Sequence, residues 1–299
     1  MANVDKNWLD RMYNNRLLVP EFPEYVARWE RSSGEVRAQQ ASLLNQAYGS
    51  DASEFLDIFP SASAQKKAGR GGAPVLVFLH GGYWRSLDKR DFSFVAPAFT
   101  GEGACVVIPN YALCPGDAAR PVTVPSITLQ MVNMLVWVHR NIAKFGGDPS
   151  RITLAGHSAG GHLAAMLTAC VWPAVSPDLP EKLVKNALSL SGLHELETIR
   201  QTPYLQGSLN LTRADAKKTS PAWLHAPRVS KGRGILFAMV GGNESAEFHR
   251  HNALIQSAWG NAVVPVCETL PGLNHFSILE AMVQPGHRLN RLAVQLLFS

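Results

Sequence analysis

The segment Ile152-Thr153-Leu154-Ala155-Gly156-His157-Ser158-Ala159-Gly160-Gly161-His162-Leu163 constrains this chain more than any other. An apolar, partly β-branched run enters Gly-X-Ser-X-Gly, and an alanine-rich helix former leaves it. That is the sequence form of a strand, a sharp turn and a helix, with the serine at the turn. The turn needs a strained backbone at its centre, and the flanking glycines remove side chains that would collide there. Ser158 is then presented at the end of a strand with a helix N-terminus behind it. It is the candidate nucleophile. The pentad alone is a weak pattern; its weight comes from the strand before it, the helix after it and partners elsewhere in the chain.

The surroundings of this turn predict the architecture. Continuous apolar runs of strand length occur at Val75–Leu79, Cys105–Ile108, Ile152–Leu154, Ala187–Leu190, Ile235–Val240 and Val263–Cys267. Runs without polar alternation suit strands covered on both faces, as in a parallel sheet. Phe55–Phe59 alternates like a half-buried strand. Helical segments are expected at Ser126–Phe145, Gly161–Ala169, Glu247–Trp259 and Ser277–Leu297, and the alternation points to a doubly wound α/β sheet. The first part, residues 1–48, reads as an N-terminal helical segment, with Arg28-Trp29-Glu30-Arg31 on an exposed face. Ser61–Gly72, rich in Ser, Ala, Lys and Gly, reads as a surface loop. Residues 194–227 break the rhythm with polar helical pieces and are expected to form a small helical cap inserted into a single domain spanning 1–299.

At 299 residues, with 46% hydrophobic and 17% charged residues, the chain can bury a large core. Its net charge of +5 is dispersed, with short clusters only at Lys66-Lys67 and Lys217-Lys218. Nucleic-acid binding would need a concentrated stripe, so no nucleic-acid partner is expected. No apolar run is long enough to cross a bilayer, so no membrane partner is expected either. Met1–Trp8 lacks the apolar core of a secretion signal. Cys105, Cys114, Cys170 and Cys267 show no paired spacing and read as reduced thiols, which suits the cytoplasm. The oligomeric state, including a homodimer, is open.

A serine nucleophile needs a base within hydrogen-bond reach and a carboxylate to orient that base. After a turn of this kind the chain order is serine, acid, histidine. His275, in Leu270-Pro271-Gly272-Leu273-Asn274-His275-Phe276, follows the last strand and precedes the terminal helix; it is the candidate base. The acid is expected after the strand ending at Val240. Glu244 is chosen there, with Glu247 as a helix-capping residue or fallback acid. Asn243 has no charge to offer. His80-Gly81-Gly82-Tyr83-Trp84 directly follows the strand Val75–Leu79. The N–H groups of Gly82 and Tyr83, with that of Ala159, are the expected oxyanion donors. Tyr83, Trp84 and His157 are expected to line the substrate pocket. His249 and His251, two apart on a helix, face different ways and make no metal site.

Together His80–Trp84, Asn110-Tyr111-Ala112-Leu113-Cys114-Pro115, Phe145-Gly146-Gly147-Asp148-Pro149, the serine turn and Asn274-His275-Phe276 resemble the arylformamidase branch of the α/β-hydrolases. That branch includes the kynurenine formamidases and lies near the hormone-sensitive-lipase esterases. Met12-Tyr13-Asn14-Asn15-Arg16 and Glu244–Arg250 are similar to its N-terminal region and acid loop, where the acid is usually aspartate rather than glutamate. The resemblance implies an α/β-hydrolase fold and a Ser–Glu–His set that works without metal or organic cofactor. It implies a small-molecule ester or N-formyl aryl amide as substrate. Esters are intrinsically easier to cleave, so a carboxylesterase on short-acyl esters is the first expectation. An arylformamidase acting on N-formylkynurenine is the alternative. A non-catalytic ligand-binding module is disfavoured by the complete set of site residues.

Overall fold

The protein is described here from a computed structural model covering residues 5–61, 72–229 and 234–299. Among the described residues three helices come first: α1 (Lys6–Tyr13), α2 (Asn15–Leu18) and α3 (Phe22–Gln39). Among the described residues eight strands follow: β1 (Leu43–Ala47), β2 (Phe55–Phe59), β3 (Ala73–Leu79), β4 (Cys105–Pro109), β5 (Gly147–His157), β6 (Val184–Leu190), β7 (Ile235–Gly241) and β8 (Val266–Leu270). Between and after them lie α4 (Ala96–Thr100), α5 (Val124–Asn141), α6 (Ala159–Thr168), α7 (Trp172–Val175), α8 (Glu197–Arg200), α9 (Pro203–Leu209), α10 (Arg213–Lys218), α11 (Ala246–Trp259), α12 (Ser277–Val283) and α13 (Arg288–Phe298).

The strands form one sheet in the order β1-β2-β4-β3-β5-β6-β7-β8. β1 and β2 run antiparallel to their neighbours, and the rest are parallel. This is the expected α/β-hydrolase fold. The apolar runs behave as a doubly covered sheet requires. In β3, Val75, Val77 and Leu79 enter one core with α5 and α6, whereas Leu76 and Phe78 enter a second core with α12 and α13. Side-chain alternation sends successive residues to opposite faces, and helices on both sides exclude water from each.

Four expectations need correction. Residues 1–48 are not helical throughout, because β1 occupies Leu43–Ala47. Leu-Leu-Asn-Gln-Ala shows no clear period because it is an edge strand set by pairing with β2, and Asn45 N–H donates to Asp57 Oδ1 at 2.8 Å. Trp29 is not on an exposed face but is only 3% exposed, its indole stacked on Phe94 at 5.9 Å. The last strand starts at Val266 rather than Val263. Pro265 has no N–H for the ladder, so pairing begins after it. The terminal helix is two helices, parted at Gln284-Pro285-Gly286 with Gly286 at φ +82°.

The Ser61–Gly72 reading lies outside the described residues apart from its two end positions. Residues 194–227 carry α8, α9 and α10, and Leu205, Leu209, Leu211 and Ala216 pack into the same core as α5 and α6. All four cysteines are free thiols. Among the described residues no helix is long and apolar enough to cross a membrane, and no cluster of three or more His, Cys, Asp or Glu side chains could hold a metal ion.

Candidate active site

Ser158 sits between β5 and α6 with φ +57° and ψ −118°, a left-handed region that costs a non-glycine residue roughly 1–3 kcal/mol. The surroundings hold it there. Its N–H donates to the Leu190 carbonyl at 2.8 Å, and its own carbonyl accepts from His162 N–H at 3.1 Å. The two glycines of the pentad are obligatory on steric grounds. A Cβ on Gly156 would come within 2.1 Å of the Gly160 carbonyl oxygen, and one on Gly160 within 1.9 Å of the Leu79 carbonyl oxygen. The close approach of α6 to β3 and β5 therefore depends on both.

His275 lies in the turn between β8 and α12, and Glu244 in the turn between β7 and α11. The two meet: His275 Nδ1 and Glu244 Oε2 are 2.6 Å apart, with both side chains buried. The other carboxylate oxygen accepts from Gly241 N–H at 2.7 Å and from the Ser191 hydroxyl at 2.6 Å. Three donors on one buried carboxylate keep it in place without leaving it unsatisfied. Ser191, at φ +51° just after β6, was not singled out in the sequence; nothing local marks it as a partner of a residue 53 positions on. Glu247, the fallback acid, points elsewhere. It accepts from the Tyr13 hydroxyl at 2.5 Å and pairs with Arg250 at 2.7 Å.

His157 is buried, and its Nε2–H donates to the His275 carbonyl at 2.7 Å. Burial, aided by the neighbouring His275, pushes the His157 imidazole down to about 3, so it stays neutral. The ring of His275 is packed between His157 at 4.7 Å and Phe248 at 4.6 Å.

The loop after β3 runs against the nucleophile. A Cβ on Gly81 would lie 3.0 Å from the His157 carbonyl oxygen and 3.1 Å from Ser158 Cβ, tighter than ordinary contact, so a larger residue would push the loop back by a few tenths of an ångström. Gly82 (φ +103°), Tyr83 (φ +50°) and Trp84 (φ +54°) then form a left-handed turn. The N–H groups of Gly82, Tyr83 and Ala159 have no hydrogen-bond partner among the described residues. His80 anchors the loop from below. It is buried and neutral, its value pushed down to about 4 by desolvation, and it stacks on Tyr111 at 4.2 Å.

Ser158, His275, His157, Gly82 and Tyr83 line one pocket with about 60 Å³ of free space. Trp84 does not. It is fully buried, with its ring edge-on to His162 at 4.9 Å, so the expectation that it walls the substrate pocket is corrected. The two neighbouring side chains part here: the Tyr83 hydroxyl reaches the Tyr13 carbonyl at 2.7 Å, whereas Trp84 packs against His162. The remaining walls are residues that the sequence reading did not single out. Asn15, Arg16, Phe22, Val26 and Trp29 arrive from α2 and α3, Arg85 and Leu87 from the loop after β3, Tyr204 from α9, and Phe276 from beside the histidine.

The chain has clear relatives among known proteins. A kynurenine formamidase of Danio rerio is 29% identical over 91% of this chain and 88% of its own length. A kynurenine formamidase of Salmo salar is 27% identical over 99% and 97%. A carboxylesterase of Mycobacterium tuberculosis, NlhH, is 40% identical, but over only 33% of this chain and 30% of its own. A solved protein from Silicibacter sp. TM1040, provisionally named a thioesterase, is 26% identical with a TM-score of 0.77, covering 97% of this chain and 99% of that one. These proteins support a hydrolase of the arylformamidase and hormone-sensitive-lipase-like esterase branch. Residues 31–214, more than half of the chain, match the carboxylesterase family, and the chain belongs to that family.

Proposed function

We propose that this protein is a serine hydrolase that cleaves short-acyl carboxylic esters through Ser158, His275 and Glu244. The observation that carries the reading is the 2.6 Å contact between His275 Nδ1 and a fully buried Glu244 carboxylate, on a histidine that shares its pocket with Ser158. The carboxylate fixes the Nδ1–H tautomer, which leaves Nε2 free to accept a proton. As Ser158 Oγ attacks the acyl carbon, its proton passes to His275 Nε2. The N–H groups of Gly82, Tyr83 and Ala159 receive the developing oxyanion. His275 then protonates the leaving alcohol, and an acyl-enzyme remains on Ser158. Water, deprotonated by the same imidazole, releases the acid and restores the serine. The narrow cavity favours a small acyl group, while Phe22, Tyr204 and Phe276 offer aromatic surface to the leaving group.

A second reading, hydrolysis of N-formyl aryl amides such as N-formylkynurenine, is supported by two arginines. Arg16 and Arg85 line the pocket, and among the described residues no Asp or Glu does. Arg85 donates to the Tyr204 carbonyl at 3.0 Å and the Ser208 hydroxyl at 2.9 Å, and neither arginine is paired with a carboxylate among the described residues. Unneutralised guanidinium groups at a cleft attract an anionic substrate, and an amino-acid leaving group brings a carboxylate. The two full-length relatives named kynurenine formamidase support the same reading.

The decisive measurement is kcat/KM on p-nitrophenyl acetate and on N-formylkynurenine, for the protein and for Ser158→Ala. Ester turnover that falls roughly 10⁴- to 10⁶-fold in Ser158→Ala, with the fold intact, is the expected result. Turnover retained in Ser158→Ala would overturn the mechanism. Fast ester cleavage beside undetectable formamide cleavage would remove the second reading.

A further inference from the structure

Three loops carry the proposed machinery: the oxyanion loop after β3, the acid loop after β7 and the base loop after β8. The N-terminal helices touch all three. A helix leaves its last four carbonyls without intrahelical partners. In α1 two of these are taken by the loops. The Tyr13 carbonyl accepts from the Tyr83 hydroxyl at 2.7 Å, and the Met12 carbonyl accepts from the Ser245 hydroxyl at 2.6 Å. α3 holds the third loop. Asn274 Nδ2 donates to the Tyr25 hydroxyl at 3.2 Å, and Phe276 lies against Tyr25 at 5.8 Å and Phe22 at 5.6 Å.

The end of α1 is itself tied down. The Tyr13 side chain is fully buried, and its hydroxyl donates to Glu247 Oε2 at 2.5 Å. His194 N–H donates to His251 Nδ1 at 3.1 Å, so the proton of that ring is on Nε2, which donates to the Tyr13 hydroxyl at 2.8 Å. The two carbonyls thus belong to a rigid point rather than a free terminus. The loops they hold need such a point. Tyr83 sits at φ +50°, where a non-glycine residue persists only if its surroundings over-determine it. Ser245 directly follows Glu244.

We propose that Tyr83 and Ser245 are positioning residues. Their hydroxyls, fixed to the C-terminal carbonyls of α1, set the oxyanion donor at Tyr83 N–H and the carboxylate of Glu244 against Ser158 and His275. This rests on the Ser158–His275–Glu244 reading above. The N-terminal segment then contributes to the rate as well as to the pocket wall.

The test uses the full chain with p-nitrophenyl acetate, and counts working sites by labelling with a serine-directed phosphonate. Tyr83→Phe and Ser245→Ala each remove one hydroxyl and little volume. Each is expected to lower kcat per labelled site about 10- to 100-fold, with KM changed less than about threefold. Ser245→Thr, which keeps a hydroxyl, is expected to recover most of the Ser245→Ala loss. A merely structural role would instead lower the melting temperature or the labelled fraction, leaving kcat per labelled site unchanged; that result overturns the proposal. Equal kcat in Ser245→Ala and Ser245→Thr also overturns it, and this pair decides the matter should Tyr83→Phe fail to fold. Ser158→Ala is run alongside. If it retains turnover, the reading of the site fails and takes the positioning role with it. If it does not, an unchanged kcat in the hydroxyl variants refutes the positioning role alone.

Discussion

Replacing Glu244 by glutamine tests the acid assignment at a single atom. The carboxylate accepts three hydrogen bonds: Oε1 from Gly241 N–H and the Ser191 hydroxyl, Oε2 from His275 Nδ1–H. Glutamine has the same shape and keeps an oxygen for Gly241 and Ser191. Its NH₂ group then faces His275 Nδ1, and donor meets donor. The ring relieves the conflict by moving its proton to Nε2, the nitrogen that must accept the proton of Ser158. The negative charge that stabilises the imidazolium is lost as well. An isosteric loss of the acid in such a triad lowers kcat by about 10⁴-fold, which is about 5.5 kcal/mol of transition-state stabilisation. The expected result is a drop of that order in kcat per phosphonate-labelled site, with KM little changed. Glu247→Gln is the control. Its carboxylate serves Tyr13 and Arg250 rather than His275, so kcat is expected to stay within about tenfold while stability falls by roughly 1–3 kcal/mol. A larger kcat loss in Glu247→Gln than in Glu244→Gln would refute the assignment.

Acid should unfold this protein early. Desolvation pushes the buried imidazoles of His80 and His162 down to about 4 and those of His157 and His194 to about 3, and holds His251 well below its ordinary value. These rings are neutral when folded but protonate near about 6.5 when unfolded, so stability is full above that pH and falls by up to about 1.4 kcal/mol per pH unit per histidine below it. Urea midpoints measured from pH 8 to 5 check this, and a constant midpoint would contradict it. Trp84→Ala should cost about 3–5 kcal/mol of stability, the usual range for emptying a buried tryptophan site. A raised KM with unchanged stability would instead return Trp84 to the substrate pocket. Lys89 Nζ donates to Asp57 Oδ1 at 2.7 Å, with both side chains buried, so Lys89→Met strands a carboxylate and should lower unfolding stability by about 3–5 kcal/mol. A loss below about 1 kcal/mol would show that Asp57 is adequately solvated without it.

Much of what depends on short stretches of chain was readable from the residue order alone, although the breaks at Pro265 and at Pro285-Gly286 are local signals that were passed over. The apolar runs that become β3 to β7 are continuous because the sheet is covered on both faces. Gly156 and Gly160 mark the serine turn because backbone passes where a Cβ would be. Glu244 and His275 could be chosen because each falls in the turn after a recognisable strand. What the residue order left out involves partners far apart. Trp29 looks like a surface residue within α3, yet it is buried by contact with Phe92, Phe94 and Phe276. Trp84 lies in a run of three left-handed residues, only one of them glycine, and its ring packs against His162, 78 positions on. Ser191 reaches Glu244 across 53 positions, and Ser245 reaches Met12 across 233. Periodicity records which face of an element is apolar. It holds no record of which distant loop a hydroxyl or carbonyl will meet, so the second ring of contacts around the site was decided only when the chain folded.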